Sequence, residues 1–254
     1  MTRVLTIGGA RFMGRFTVEE FRDRGDDVTL FTRGNTPIPF DEDDVGHVEG
    51  DRRDEAALRA ATEAVDPDVV IDFAGFYPED VRTALDVFSD IDTYVFVSST
   101  SAYRLGSTVP IREGRTPLEP CSPEQAVDDT MESYGPRKAE CDRLLLEADV
   151  DARIVRPTAI YGPYDPTGRL GYWIDRVRTH DRIVVPGGDY LIQGESPAVY
   201  GGRESDNCRI TADAAQSGVS KSSAAWTSIP RHVSPYLFFT SFSRSYCSSS
   251  GTSM

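Results

Sequence analysis

The sequence predicts an α/β fold in which a parallel sheet is doubly wound, with helices on both of its faces. Three observations carry this. Short β-branched runs recur at Val4 to Ile7, Val28 to Thr32, Asp68 to Phe73 and Thr93 to Ser98. Helical apolar patterns separate them, so the strands connect by crossovers and run parallel. The first run also passes directly into a glycine-bearing turn, Gly8-Gly9-Ala10-Arg11-Phe12-Met13-Gly14, that opens a helix.

Taken in order, the first strand spans Val4 to Ile7, and the helix after the turn runs to about Arg24 and stops at Gly25. Val28 to Thr32 forms the second strand and Val45 to Gly50 a short third one. An alanine-rich helix covers Glu55 to Val65. The fourth strand, Asp68 to Phe73, precedes a helix from Pro78 to Phe88, and Thr93 to Ser98 is the fifth. Residues 104 to 130, rich in Pro and acid, read as a long loop walling a substrate site. A helix then carries Ser133 to about Leu146, followed by a strand at Arg153 to Val155. A helix from Leu170 to Val177 and a strand from Arg182 to Val185 come next.

In such a sheet the ligand lies across the carboxyl ends of the strands, where Gly8, Thr32, Ala74-Gly75 and Ser98 to Ser101 fall. Gly8 permits the sharp turn and Gly14 close helix packing, while free N–H groups at the helix start suit a pyrophosphate. Arg11 stands where the usual fingerprint has its middle glycine. The second strand ends in Thr32-Arg33, with no acid to hold a ribose 2′-hydroxyl. Arg33, assisted by Arg11, therefore favours the 2′-phosphate of NADP over NAD. Asp51, after the third strand, is a candidate for the adenine amino group.

Tyr134 and Lys138 are four residues apart on one helical face. Lys138 is also the only lysine before Lys221 in a chain that otherwise uses arginine, which points to a site needing an ammonium.

Charge narrows the partners. The 254 residues carry a net charge of -14. This repels nucleic acid and fits a halophilic, strongly acidic surface. No apolar run is long enough to span a membrane. The four cysteines and three histidines show no metal-ligand spacing, so the expectation is a reduced, cytoplasmic protein without structural metal. The character changes near Gln193: residues 194–254 hold fifteen of the 22 serines but four of the 41 acidic residues. The expected domains are thus 1–193, a dinucleotide-binding domain with the start of a substrate lobe, and 194–254, an atypical Ser-rich tail. Two origins stay open for that tail: natural disorder, or translation in a shifted reading frame.

Four ordered motifs carry a family resemblance: the glycine turn, then Val97-Ser98-Ser99-Thr100-Ser101-Ala102-Tyr103, then Tyr134-x-x-x-Lys138, then Arg156-Pro157-x-x-x-Tyr161-Gly162-Pro163. Over about residues 3 to 193 the chain resembles the extended short-chain dehydrogenase/reductases, and within them the NAD-dependent epimerase/dehydratase group. The resemblance implies a Rossmann-type domain, a nicotinamide cofactor and a nucleotide-sugar substrate. It makes Tyr134 the proton-exchanging group, with Lys138 lowering its pKa and binding the nicotinamide ribose. Thr100, or alternatively Ser99, orients the substrate oxygen. Cofactor contacts are implied along Gly8, Gly9, Arg11, Phe12, Met13 and Gly14, and at Ser98 and Pro157. Family members often pair through the helix bearing Tyr-Lys, which implies a homodimer.

Two departures bear on function. Arg11 and the missing acid resemble an atypical branch that includes chloroplast stem-loop-binding proteins, some of which bind RNA. The family also continues beyond Gly188 into a lobe completing the sugar pocket, and nothing after Gln193 resembles it. An incomplete substrate lobe is the expectation, with a catalytically silent NAD(P)-binding protein as a further reading.

Overall fold

The computed structural model describes residues 1–182, apart from residues 105, 108, 109 and 159. The expected strand at 182–185 and the tail at 194–254 lie outside the described residues. Six strands form one sheet: β1 (Arg3–Ile7), β2 (Asp27–Thr32), β3 (Gly46–Glu49), β4 (Val69–Asp72), β5 (Thr93–Val97) and β6 (Ala152–Val155). Their order is β3-β2-β1-β4-β5-β6 and every pair is parallel, with Val4 beside both Val28 and Val69. This is the expected Rossmann-type sheet, its strand order reversing between β1 and β4.

Among the described residues the α-helices are α1 (Phe12–Asp23), α2 (Glu55–Val65), α3 (Pro78–Val87), α4 (Pro123–Val127), α5 (Met131–Glu147) and α6 (Arg169–Thr179). Central strands are mostly apolar because helices cover them on both sides, with Thr6 and Asp72 as buried polar exceptions. Leu5 and Ile7 face a core closed by Leu58 of α2, Val81 and Ala84 of α3, and Leu145 of α5. Val4, Leu30 and Ile71 face the opposite core, closed by Val18 of α1 and by Ile38 and Phe40 of the β2–β3 loop.

Within the expected long loop, residues 110–130 carry regular structure. Tyr103 bridges Leu118, and Ser122 caps α4 by accepting from the Gln125 N–H while Gln125 answers the Ser122 N–H. That reciprocal cap was legible as Ser-x-x-Gln, but Pro and acid in the flanks masked it. α6 leaves Tyr172, Trp173, Ile174 and Val177 exposed among the described residues.

Candidate functional site

The turn between β1 and α1 is a cradle made of backbone. Gly8 and Gly9 take φ of +82° and +101°, a region that side chains disfavour. Thr6 Oγ1 donates to the Gly8 carbonyl at 2.9 Å and tightens the turn. A Cβ on Gly14 would stand 2.4 Å from Gly9 Cα, so glycine there lets α1 close onto the turn. Among the described residues no side chain caps α1, and no acid occupies its first turn. The N–H groups around Phe12 and Met13 are left pointing at the carboxyl edge of the sheet, a donor set that fits a pyrophosphate. Arg11 has an extended backbone, φ −128°, and an exposed side chain, so this position does not require glycine.

At the end of β2, Thr32 Oγ1 lies 2.9 Å from His47 Nε2. Arg33 is exposed. The Glu49 carboxylate, which sequence reading missed, arrives from β3 and lies against Gly34, where a Cβ would meet both of its oxygens at 2.9 Å. A ligand approaching Thr32 and Arg33 therefore meets one exposed carboxylate as well as guanidinium groups. Asp51 is exposed too and accepts from the Arg53 N–H at 3.0 Å.

The other end of the edge is built around α5. A Cβ on Gly135 would stand 2.5 Å from the Ser101 carbonyl oxygen, so Gly135 brings α5 against the short turn Thr100–Ala102. That contact brings Tyr134 to Ser99. Burial pushes the Tyr134 phenol up, while its hydrogen bond with Ser99 and the Arg137 charge pull it back. Ser99 also accepts from the Ser101 N–H at 3.1 Å. The Thr100 hydroxyl and N–H both donate to the Pro157 carbonyl, at 3.4 and 3.0 Å. Ser98 is buried, with its N–H on the Val155 carbonyl at 2.7 Å.

Lys138 is 2% exposed. Its Nζ donates to the carbonyls of Gly75 at 2.7 Å and Val97 at 2.8 Å, and sits 4.2 Å from the Phe96 ring centroid. Burial pushes this ammonium down.

Beneath Lys138 lies a cluster of charges that the sequence reading passed over. Arg52 pairs with Asp72 at 2.5 Å and with Asp80 at 3.1 Å. Asp72, fully buried, also accepts from Tyr94 OH at 2.9 Å and from the Ala74 N–H at 2.8 Å. Asp80 takes the N–H groups of Phe76 and Tyr77 at 2.8 and 2.9 Å. A second buried pair joins Arg156 to Asp142 at 2.6 Å, with Arg156 donating to Tyr103 OH at 3.1 Å. One signal was available: an acid closing the apolar run Val69-Val70-Ile71-Asp72. Nothing local names its partner.

The model of the NAD dependent epimerase/dehydratase family matches residues 4–196. The chain is 31% identical over 196 residues to the chloroplast stem-loop binding protein of 41 kDa b from Arabidopsis thaliana, covering 72% of this chain and 49% of that protein. It is 28% identical over 192 residues to a UDP-glucose 4-epimerase from Azospirillum brasilense, covering 66% and 52%. The chain thus spans about half the length of these relatives. Among solved structures, the Bordetella bronchiseptica enzyme WbmG in complex with NAD and UDP matches with a TM-score of 0.57 at 20% identity, over 70% of this chain and 59% of that one. The dTDP-glucose 4,6-dehydratase of Bacillus anthracis in complex with NAD matches with a TM-score of 0.56 at 21% identity, over 70% and 61%. At these identities the likeness is one of fold.

Proposed function

The chain belongs to the NAD dependent epimerase/dehydratase family, and from that premise we propose that it binds a nicotinamide dinucleotide and acts on a hydroxyl or carbonyl of a nucleotide sugar. The observation that carries this reading is the meeting of Tyr134 with Ser99 one helical turn before a buried Lys138, at the same sheet edge as the glycine cradle.

When bound, the oxidised cofactor supplies a hydride acceptor and a positive charge beside the phenol. Tyr134 exchanges a proton with the substrate oxygen. Serving as a base near neutrality takes a fall of roughly three units from a reference near 10, about 4 kcal/mol in favour of the phenolate. Burial alone works against that fall. The ordered contribution from this chain is the Ser99 hydroxyl, so we assign Ser99 to orienting the substrate oxygen, and Thr100, held on the Pro157 carbonyl, to supporting the loop. Lys138 has three donors, and two are on carbonyls. The third is left for the nicotinamide ribose.

At the adenosine end, Arg11 and Arg33 draw a 2′-phosphate and Glu49 repels it. Two guanidinium groups against one carboxylate favour NADP. Glu49→Gln then tightens NADP severalfold and leaves NAD nearly unchanged, measured by paired fluorescence titrations of the reduced forms. Tyr134→Phe keeps cofactor affinity and lowers turnover of the responsive nucleotide sugar by about 10²-fold or more. Binding of neither NAD nor NADP overturns the reading. Cofactor binding without turnover of any nucleotide sugar supports a silent, cofactor-binding protein. Pairing of two chains through α5, which sedimentation tests, is part of the same family expectation.

A second reading has one observation behind it, the 31% identity to a stem-loop binding protein. The net charge of -14 opposes it. RNA retention that weakens steeply with salt would favour it.

A further inference from the structure

Lys138 presents an electrostatic problem. Among the described residues, an ammonium at 2% exposure meets two carbonyl dipoles and two aromatic faces, at 4.2 Å from the Phe96 ring centroid and 5.5 Å from that of Phe76. No carboxylate forms an ion pair with it among the described residues. Dipoles of this kind offset only part of the several kcal/mol that desolvating an ion costs. A charge of opposite sign must lie close by, or the lysine sheds its proton.

Each charged neighbour can be assigned. Asp142, on α5 itself, is committed to Arg156 at 2.6 Å in a buried neutral pair, and Arg156 reaches the exposed Glu113 at 3.4 Å on its outer side. Cys141, one helical turn beyond Lys138, has a thiol pushed up to about 12 by burial and stays uncharged near neutrality. Tyr134 and Tyr94 are both held above the usual phenol value, so they too are neutral. What remains is Arg52 with Asp72 and Asp80: two buried carboxylates against one buried guanidinium, while Arg53, 64% exposed and so screened by water, reaches Asp80 at 3.8 Å from the solvent side. The buried members carry one net negative charge, and Lys138 balances it. The connection is direct, because Gly75 gives its carbonyl to Lys138 Nζ while a Cβ on Gly75 would stand 3.2 Å from Asp72 Oδ2.

We propose that Arg52, Asp72 and Asp80 form a built-in counterion for Lys138, one that holds the lysine charged without touching it. Arg52 bridges the two carboxylates, at 2.5 Å from Asp72 and 3.1 Å from Asp80. Asp80, by accepting from the Phe76 and Tyr77 N–H groups, fixes the loop whose Gly75 carbonyl aims the ammonium. A direct carboxylate partner would occupy the ammonium's third donor. A counterion one residue removed leaves that donor free. Asp72, Asp80 and Arg52 are thus positioning residues, acting through Lys138.

The chain makes the test direct, because it holds only two lysines, Lys138 and Lys221. Protein labelled with ¹³C-lysine gives two side-chain ε signals, and Lys221→Arg assigns them. In the unsubstituted chain the Lys138 signal is that of an ammonium at pH 7. In the isosteric variants Asp80→Asn and Asp72→Asn its titration midpoint falls by about one pH unit or more. Glu79→Gln, which removes the exposed neighbouring carboxylate on the same helical turn, leaves it in place. A purely structural role for the cluster would move stability and not this midpoint. The proposal is overturned if Lys138 is neutral at pH 7 in the unsubstituted chain, a measurement that needs no variant to fold. It is equally overturned if Asp80→Asn folds and does not lower the midpoint, or if Glu79→Gln lowers it as much. The inference rests on the proposed function only for the use made of the ammonium. If the midpoints shift as stated and neither NAD nor NADP binds, the proposed function falls and the counterion stands.

Discussion

The two ends of the candidate cleft are built from different materials. At the β1–α1 turn the working groups are backbone N–H donors, made available because side chains are missing at Gly8, Gly9 and Gly14. At the ends of β4 and β5 they are side chains, set in place by buried charges from four separate segments. The first end depends on nothing being there, and the second on several things being there together. A backbone cradle tolerates changes in surface charge but not in volume. A charge cluster tolerates neither the loss of one member nor its replacement by a neutral group of another shape.

The difference can be tested, starting with the largest effect. Asp72→Ala strips Arg52 and Tyr94 of their shared acceptor and is expected to cost about 3–5 kcal/mol of stability, the range for breaking a buried pair from one side. Urea unfolding measures it, and a loss below about 1 kcal/mol would mean that the charges do not hold this end. Gly14→Ala drives a methyl group into Gly9 and is expected to weaken cofactor binding at least about tenfold, some 1.4 kcal/mol. Arg11→Gln, which alters charge without closing the turn, should cost less. If the two rank the other way, the cradle works by charge and not by shape.

The smallest effect appears at alkaline pH. Burial first, then the Asp72 charge, pushes the Tyr94 hydroxyl well above its usual value. Above pH ~10 the unfolded chain loses this proton and the folded chain keeps it. Stability from this group is therefore whole below pH ~10 and falls above it, by at most about 1.4 kcal/mol per pH unit. Lys138, pushed down by burial, acts in the opposite sense over the range below its usual value, where the folded chain holds fewer protons. Tyr94→Phe should flatten the alkaline decline in urea unfolding series at pH 9 to 11. It should also lower stability at neutral pH by about 1 kcal/mol through the lost hydrogen bond to Asp72.

The same contrast governs what could be read in the sequence. The strands, the glycine turn and the Tyr134–Lys138 spacing were legible because each is a local pattern: a period, a turn residue, one helical face. Residues 52, 72 and 80 were not, because Arg52 and Asp72 meet across 20 positions and either residue alone reads as ordinary surface charge. The choice between Ser99 and Thr100 was open for a related reason. Register along one strand favoured Thr100, and it cannot show that the Thr100 hydroxyl also bonds the Pro157 carbonyl. α4 was missed although its cap was on the page, since a five-residue helix leaves too little periodicity to outweigh its flanks.

Gly135 bears on how such a site could be transplanted. Its lack of a side chain lets α5 lie directly on the Ser101 carbonyl. The portable unit is therefore not a tyrosine and a lysine four residues apart, but that pair together with the bare helix surface between them. A designer who copied Tyr134 and Lys138 onto another helix, with any larger residue at the position after the tyrosine, would hold the phenol away from its serine by the thickness of a methyl group. The graft would keep the spelling of the site and lose its reach.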